Sequence, residues 1–69
     1  MGGRRPELVR LLQARPTFRQ LLARYKPAGE TEEQRAFNLA TAMTCMGHVA
    51  GYGFRTAADG RIDLLEPLA

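Results

Sequence analysis

Cys45 and His48 are the two side chains of this sequence best suited to nucleophilic or metal chemistry. They stand three residues apart, a spacing that on a helix makes a thiol and an imidazole neighbours on one face. A structural zinc ion needs about four ligands, and a nucleophilic cysteine needs an orienting third group and an oxyanion pocket. The chain has one cysteine and one histidine. We therefore predict a buried cysteine, a histidine at a helix edge, and no catalytic or metal site.

Two further patterns resemble ligand-binding motifs. Gly51-Tyr52-Gly53 resembles part of a nucleotide-binding turn, but it follows a predicted helix and leads into a predicted strand, which is the reverse of the order that points backbone N–H groups at phosphate. The acidic residues Glu30, Glu32 and Glu33 lie at a predicted helix start, where the helix dipole alone favours carboxylates. We therefore predict that the protein is not an enzyme and takes no cofactor and no small-molecule substrate.

The charged residues are divided unevenly along the chain. The net charge is +3, but residues 1–29 hold seven basic residues and one acidic residue, whereas residues 30–69 hold three basic and six acidic residues. A basic segment of this kind can meet nucleic acid, an acidic protein surface or the acidic half of another copy. The residues predicted to make this contact are Arg10, Arg15, Arg19, Gln20, Arg24 and Lys26.

Two helices are predicted in the basic segment. Pro6 suits a first helical position, and Pro16 ends that helix near Ala14 because the residue before a proline avoids helical backbone angles. Apolar residues then recur at positions i, i+3, i+4 and i+7, namely Phe18, Leu21, Leu22 and Tyr25. This spacing predicts a second helix that begins at residue 16 or 17 and ends at residue 25 or 26.

The third predicted helix begins at Thr31-Glu32-Glu33-Gln34, which has the spacing of a capping box, and ends at residue 49 or 50. Its polar stripe is narrow and consists of Gln34, Asn38, Thr41, Thr44 and His48. A helix that is apolar around most of its circumference needs contacts on more than one side. We therefore expect this helix to lie in the middle of the core and to contribute to a dimer.

The pattern changes after Gly51 from a helical period to an alternation of period two, with Asp59-Gly60 as a turn. The predicted fold class is therefore α+β and mostly helical, with three helices followed by a C-terminal β-hairpin in one small domain. Its parts are a flexible basic N-terminus (1–5), a three-helix unit (6–50), the hairpin (51–66) and a loose end (67–69). The hairpin is expected to pack on the helices through Tyr52, Phe54, Ile62 and Leu64.

Chain length favours an association partner. A chain of 69 residues buries only about 60% of the surface that its unfolded form exposes, so we expect a homodimer, a protein partner, or both. The predicted interface residues are Tyr25, Phe37, Met43, Met46, Tyr52 and Phe54. We predict a cytoplasmic regulatory, adaptor or inhibitor protein that binds an acidic protein surface and spans no membrane.

The alternative is a small DNA-binding transcriptional regulator, of helix-turn-helix or winged-helix-like architecture, that uses the Arg/Lys face of the second helix. Two features disfavour the winged-helix version. The third helix would read the bases, yet it offers Arg35 as its one cation among several glutamates. Winged-helix proteins also place a strand after the first helix, and residues 14–17 are expected to hold none.

Overall fold

The computed structural model describes residues 4–65, which form three helices followed by an antiparallel hairpin. The elements are α1 (Arg5–Gln13), α2 (Phe18–Tyr25), α3 (Glu32–Ala50), β1 (Gly53–Thr56) and β2 (Ile62–Leu65). This confirms the predicted α+β order. Arg4 and Arg5, expected in a flexible segment, are the N-cap and the first residue of α1. The rest of that segment, residue 66 of the hairpin and the predicted loose end lie outside the described residues.

Capping boxes start both α2 and α3. At α3, the Thr31 hydroxyl accepts from the backbone N–H of Gln34 at 3.1 Å, and the Gln34 side chain accepts from the Thr31 N–H at 3.3 Å, as predicted. Thr17 and Gln20 make the same two bonds at 3.1 and 3.0 Å. The sequence contains this Thr-x-x-Gln signature, but a cap at Thr17 was not predicted. Each cap contributes about 1 kcal/mol, and the second one makes Phe18 the first residue of α2.

Seven buried apolar side chains from all three helices and β2 form the core. They are Leu8, Leu12, Leu21, Tyr25, Leu39, Met46 and Ile62. Each helix contributes two of these residues. The two are four positions apart on α1 and on α2 and seven positions apart on α3, so they lie on one side of their helix. A core of this size contributes only a few kcal/mol of net stability.

The segment between α1 and α2 pairs with the hairpin. The backbone N–H of Ile62 donates to the carbonyl of Pro16 at 2.8 Å, and Thr17 forms an antiparallel bridge with Arg61. The carbonyl of Arg61 accepts from Ala57 on the hairpin side. Because the carbonyl and N–H of one peptide unit point in opposite directions, β2 lies between β1 and this linker. No strand lies within residues 14–17, as expected, although Thr17 makes one isolated bridge with Arg61.

The hairpin packs on the helices as predicted. Phe54 lies opposite Leu64 in the register, and both pack against the core together with Tyr52. At the turn, Gly60 has a φ of 84° and the Asp59 carboxylate accepts from the backbone N–H of Arg61 at 3.1 Å. Glycine adopts such a positive φ without steric cost.

Candidate protein-binding surfaces

One side of α3 is left uncovered by the other elements of the described chain. Leu39 and Met46 are buried and Ala42 and Met43 pack beside them, so one side of α3 faces the core. The exposed residues on the other side, here called the outer face of α3, are Phe37, Ala40, Thr41, Thr44, Cys45 and His48. Phe37 is 71% exposed. The prediction that α3 lies in the middle of the core therefore holds for only one side of the helix.

The outer face is more apolar than its sequence suggests. The hydroxyl of Thr41 donates to the carbonyl of Phe37 at 3.0 Å, and the hydroxyl of Thr44 donates to the carbonyl of Ala40 at 3.0 Å. Threonine hydroxyls that bond back into their own helix no longer offer their proton to solvent or to a partner. The predicted polar stripe on α3 therefore presents less hydrogen-bonding capacity than its residue types imply.

Cys45 and His48 both belong to this outer face. Cys45 is exposed, which corrects the prediction of a buried cysteine: α3 turns the stripe that includes Leu39 and Met46 toward the core, and Cys45 lies outside it. Within residues 4–65, no three His, Cys, Asp or Glu side chains come close enough together to hold a metal ion. Cys45 and His48 are therefore two exposed side chains of the outer face of α3.

Exposed cations mark α1 and α2. Arg10, Arg19, Arg24 and Lys26 are all exposed, and none of them forms an ion pair with another residue of the described chain. Gln20, which was predicted to join them in binding, uses its side-chain oxygen in the cap of α2. The four cations therefore remain available to an anionic partner.

Arg15 behaves differently from the other predicted binding residues. Its Nε donates to the Asp63 carboxylate at 2.6 Å, and Arg55 donates to the other oxygen of the same carboxylate at 3.2 Å. These hydrogen bonds, from Arg15 first and Arg55 second, hold the pKa of Asp63 below its ordinary value. Asp63 is thus a carboxylate at neutral pH, and it joins the linker to both strands of the hairpin.

A groove of about 460 Å³ opens beside this ion cluster. Its lining residues are Gln13, Arg15, Arg55, Asp63, Leu64 and Leu65. Its apolar part consists of Leu64 and Leu65, here called the apolar floor, and Leu65 is 43% exposed. The rest of the lining is polar and includes two guanidinium groups and one carboxylate. The hairpin residues of this groove, Arg55, Asp63 and Leu65, are missing from the sequence-based site, because their meeting with Arg15 depends on how the hairpin docks.

The predicted interface residues differ widely in exposure. Tyr25 and Met46 lie in the core, and Met43, Tyr52 and Phe54 are half-buried against it, which leaves Phe37 as the one that is largely exposed.

Arg4 covers the ring of Tyr25. Its guanidinium lies 3.9 Å from the ring centroid, donates to the Tyr25 carbonyl, and pairs with Glu7 at 3.1 Å. The hydrogen bond from Arg4 lowers the pKa of Glu7. The spacing of Arg4 and Glu7 is a recognisable signal for a helical ion pair, whereas the contact with Tyr25 has no local signal in the sequence.

None of the helices within residues 4–65 combines the length and apolar character needed to cross a bilayer. Comparisons of the chain with models of known families, with curated proteins and with solved structures found no match. Function must therefore be inferred from the three surfaces themselves: the outer face of α3, the exposed cations of α1 and α2, and the groove beside the hairpin.

Proposed function

We propose that this chain is a non-catalytic regulatory, adaptor or inhibitor protein that acts by binding an acidic surface of another protein. The outer face of α3 is the observation that carries the proposal. Residues 36–48 contain no Asp, Glu, Lys or Arg, and the side away from the core is exposed with Phe37 at its N-terminal end. Contiguous apolar surface of this kind is typical of interaction sites.

The two exposed surfaces have different roles in this proposal. The cations Arg10, Arg19, Arg24 and Lys26 attract an acidic partner over distances of about a Debye length and accelerate its association. The outer face of α3 then supplies affinity, because an amphipathic helix binds by laying its apolar side into a hydrophobic groove. Added salt should weaken the electrostatic attraction by the cations and leave the apolar binding by the outer face of α3 largely unchanged.

We extend the proposal to self-association through the same face. The monomer core is small, and covering Phe37 with a second copy removes the largest exposed apolar side chain of α3 from water. The interface lies along one helix, so the expected homodimer is weak and dissociates on dilution. A tighter protein partner would then displace the second copy from the outer face.

Affinity capture with matched variants tests the proposal. The immobilised full chain is compared with Phe37→Gln, with an Arg19→Glu/Arg24→Glu double variant, and with Ala23→Gln as a control at an exposed position of α2. We expect the wild type and the control to retain the same protein, Phe37→Gln to lose it, and the double variant to lose it at low salt. Capture that is indifferent to both Phe37→Gln and the double variant would contradict the proposal.

A second candidate is the DNA-binding regulator, and the Thr17–Arg61 bridge favours it. The bridge lies between α1 and α2, where winged-helix proteins place a short strand, but here it is a single residue pair and not a strand. Two observations disfavour α3 as the reading helix. Its first turn carries Glu32 and Glu33, both exposed, and Arg35 donates to the carbonyl of Gly29 at 3.2 Å. The face that would meet phosphates is therefore the basic face of α2.

Salt dependence separates the two candidates. Fluorescence anisotropy of a labelled duplex is measured with the full chain at rising salt. A DNA-binding protein loses affinity with a slope of about 0.9 per phosphate neutralised, and the Arg19→Glu/Arg24→Glu variant should abolish its binding. The protein-binding proposal instead expects little duplex binding at about 0.15 M salt. Tight duplex binding there would favour the regulator.

A further inference from the structure

The ion cluster beside the hairpin has more donors than its one carboxylate uses. A guanidinium carries five N–H donors, and within the described chain Arg15 and Arg55 each give Asp63 one hydrogen bond. Both arginines remain accessible to solvent, with side chains 49% and 68% exposed. Asp63 therefore neutralises one of two positive charges and leaves most of the donors free.

The residues around the cluster include further charged side chains. Asp63 is the only acidic residue among those that line the groove in residues 4–65. Arg61 donates to the carbonyl of Arg15 at 3.1 Å and pairs with Asp59 at 3.7 Å, so this third guanidinium next to the cluster is already matched by a carboxylate. Arg10 precedes the lining residue Gln13 by three positions on α1, and residues at this spacing are neighbours on a helix surface.

We propose that this groove binds a segment of a partner protein in which an acidic side chain stands beside an apolar one. The partner's carboxylate accepts hydrogen bonds from Arg15 and Arg55, and its apolar neighbour covers Leu65. This inference rests on the proposed function and names the place where the partner's acidic surface is recognised. The chemistry requires both features of the groove, its cations and its apolar floor.

A protein segment fits this groove better than a nucleic-acid backbone does. A phosphate backbone brings one negative charge with every nucleotide, so a phosphate next to the bound one would meet the Asp63 carboxylate and find Leu64 and Leu65 instead of further cations. A single carboxylate flanked by an apolar side chain brings only one negative charge near Asp63 and can contact the leucines. Charge complementarity and the apolar floor therefore both favour an acidic peptide.

Asp63 acts in this proposal as an internal competitor. It holds both guanidinium groups in place, but it also occupies donors that the partner's carboxylate would use. Replacing Asp63 with asparagine removes a negative charge from the groove while it keeps the side-chain shape. Affinity for an acidic peptide should then rise, whereas a purely structural role for Asp63 predicts no gain.

The test uses the full chain and a fluorescein-labelled peptide with Leu-Glu-Leu between Gly/Ser flanks, together with its Leu-Gln-Leu counterpart. Binding is measured by fluorescence anisotropy, and the arginine Nε–H signals are followed by NMR. We expect the glutamate peptide to bind about tenfold more tightly than the glutamine peptide, since hydrogen bonds between ions are the strong ones. The signals of Arg15 and Arg55 should move, while those of Arg19 and Arg24 should not.

Three variants sharpen the result. Arg55→Gln should weaken binding of the glutamate peptide about tenfold, and Asp63→Asn should tighten it several-fold. Arg5→Gln, a charge-matched control at the exposed first residue of α1, should leave binding unchanged. Arg55 is chosen over Arg15 because its guanidinium is the more exposed of the two. Amide NMR spectra show whether each variant is folded. If Asp63→Asn does not fold, Arg55→Gln still tests the inference.

Several results would overturn the inference. Equal affinity for the two peptides, equal effects of Arg55→Gln and Arg5→Gln, or no gain from a folded Asp63→Asn variant would each do so. Displacement of the peptide by duplex DNA with shifts at Arg15 and Arg55 would assign the groove to nucleic acid. If the added peptide shifts only NMR signals of residues on the outer face of α3, the groove is not its binding site. The proposed function would still stand, because it is tested by the capture experiment with Phe37→Gln.

Discussion

Replacing Phe37 with glutamine should weaken association more than it weakens folding. Phe37 is 71% exposed. With about 200 Å² for a phenylalanine side chain, about 60 Å² is covered in the monomer and about 140 Å² is left for a partner. At about 25 cal/mol per Å², these areas correspond to about 1.5 kcal/mol in folding and about 3.5 kcal/mol in binding. Glutamine is the better helix former, which offsets part of the folding loss.

Buried area converts incompletely into affinity, so the expected weakening of the homodimer is at least about tenfold rather than the full value. Sedimentation velocity over a concentration series measures self-association, and urea unfolding followed by circular dichroism measures stability, with Ala23→Gln as the control. Two results would refute the reasoning. One is a wild-type protein that sediments as a monomer at every concentration. The other is a stability loss at Phe37 as large as that of a core truncation.

Three further perturbations probe the fold. In the folded chain, hydrogen bonds from two arginines hold the pKa of Asp63 below its ordinary value of 3.8; its contribution to stability is therefore complete above the unfolded-state pKa and disappears as pH falls through the folded-state pKa. Urea midpoints of the wild type and Asp63→Asn should differ above about pH 5 and converge at strongly acidic pH. Leu21→Ala empties a fully buried position and costs about 2–5 kcal/mol, which should leave a largely unfolded circular dichroism spectrum. Lys26→Gly relieves a left-handed residue with φ of 52° and should raise the free energy of unfolding, measured by urea titration, by up to about 1 kcal/mol, whereas Lys26→Ala should not.

The elements whose signals are local could be predicted from the sequence. The capping box at Thr31 involves four consecutive residues, the break before Pro16 depends on one peptide bond, and the Asp59-Gly60 turn needs only its own backbone angles. Each of these is decided by neighbours in the chain, so the order of three helices and a hairpin could be predicted without tertiary information. The cap at Thr17 carries the same kind of signal and was equally predictable.

The exposed side of α3 could not be predicted in the same way. Nearly every position of this helix is apolar or small, so its sequence contains several stripes that could be buried, and periodicity does not choose between them. The choice depends on the shape that α1, α2 and β2 present to it. The structure buries the stripe with Leu39 and Met46, and Phe37 and Cys45 are therefore left at the surface. The groove beside the hairpin was unpredictable for a related reason, since Arg15 and Asp63 are 48 positions apart.

The linker between α1 and α2 connects the fold to the groove. Arg15 comes from the linker and Arg55 from β1, and they meet at Asp63 only because Pro16 and Thr17 pair along the free side of β2. The groove should therefore exist only while the hairpin is docked. The amide of Ile62, which donates to Pro16, should exchange with solvent at the same rate as amides of the β1–β2 ladder if docking and hairpin formation are one cooperative step. Faster exchange at Ile62 alone would mean that the hairpin detaches intact, and the acidic peptide should then bind with an affinity lowered by the fraction of detached molecules.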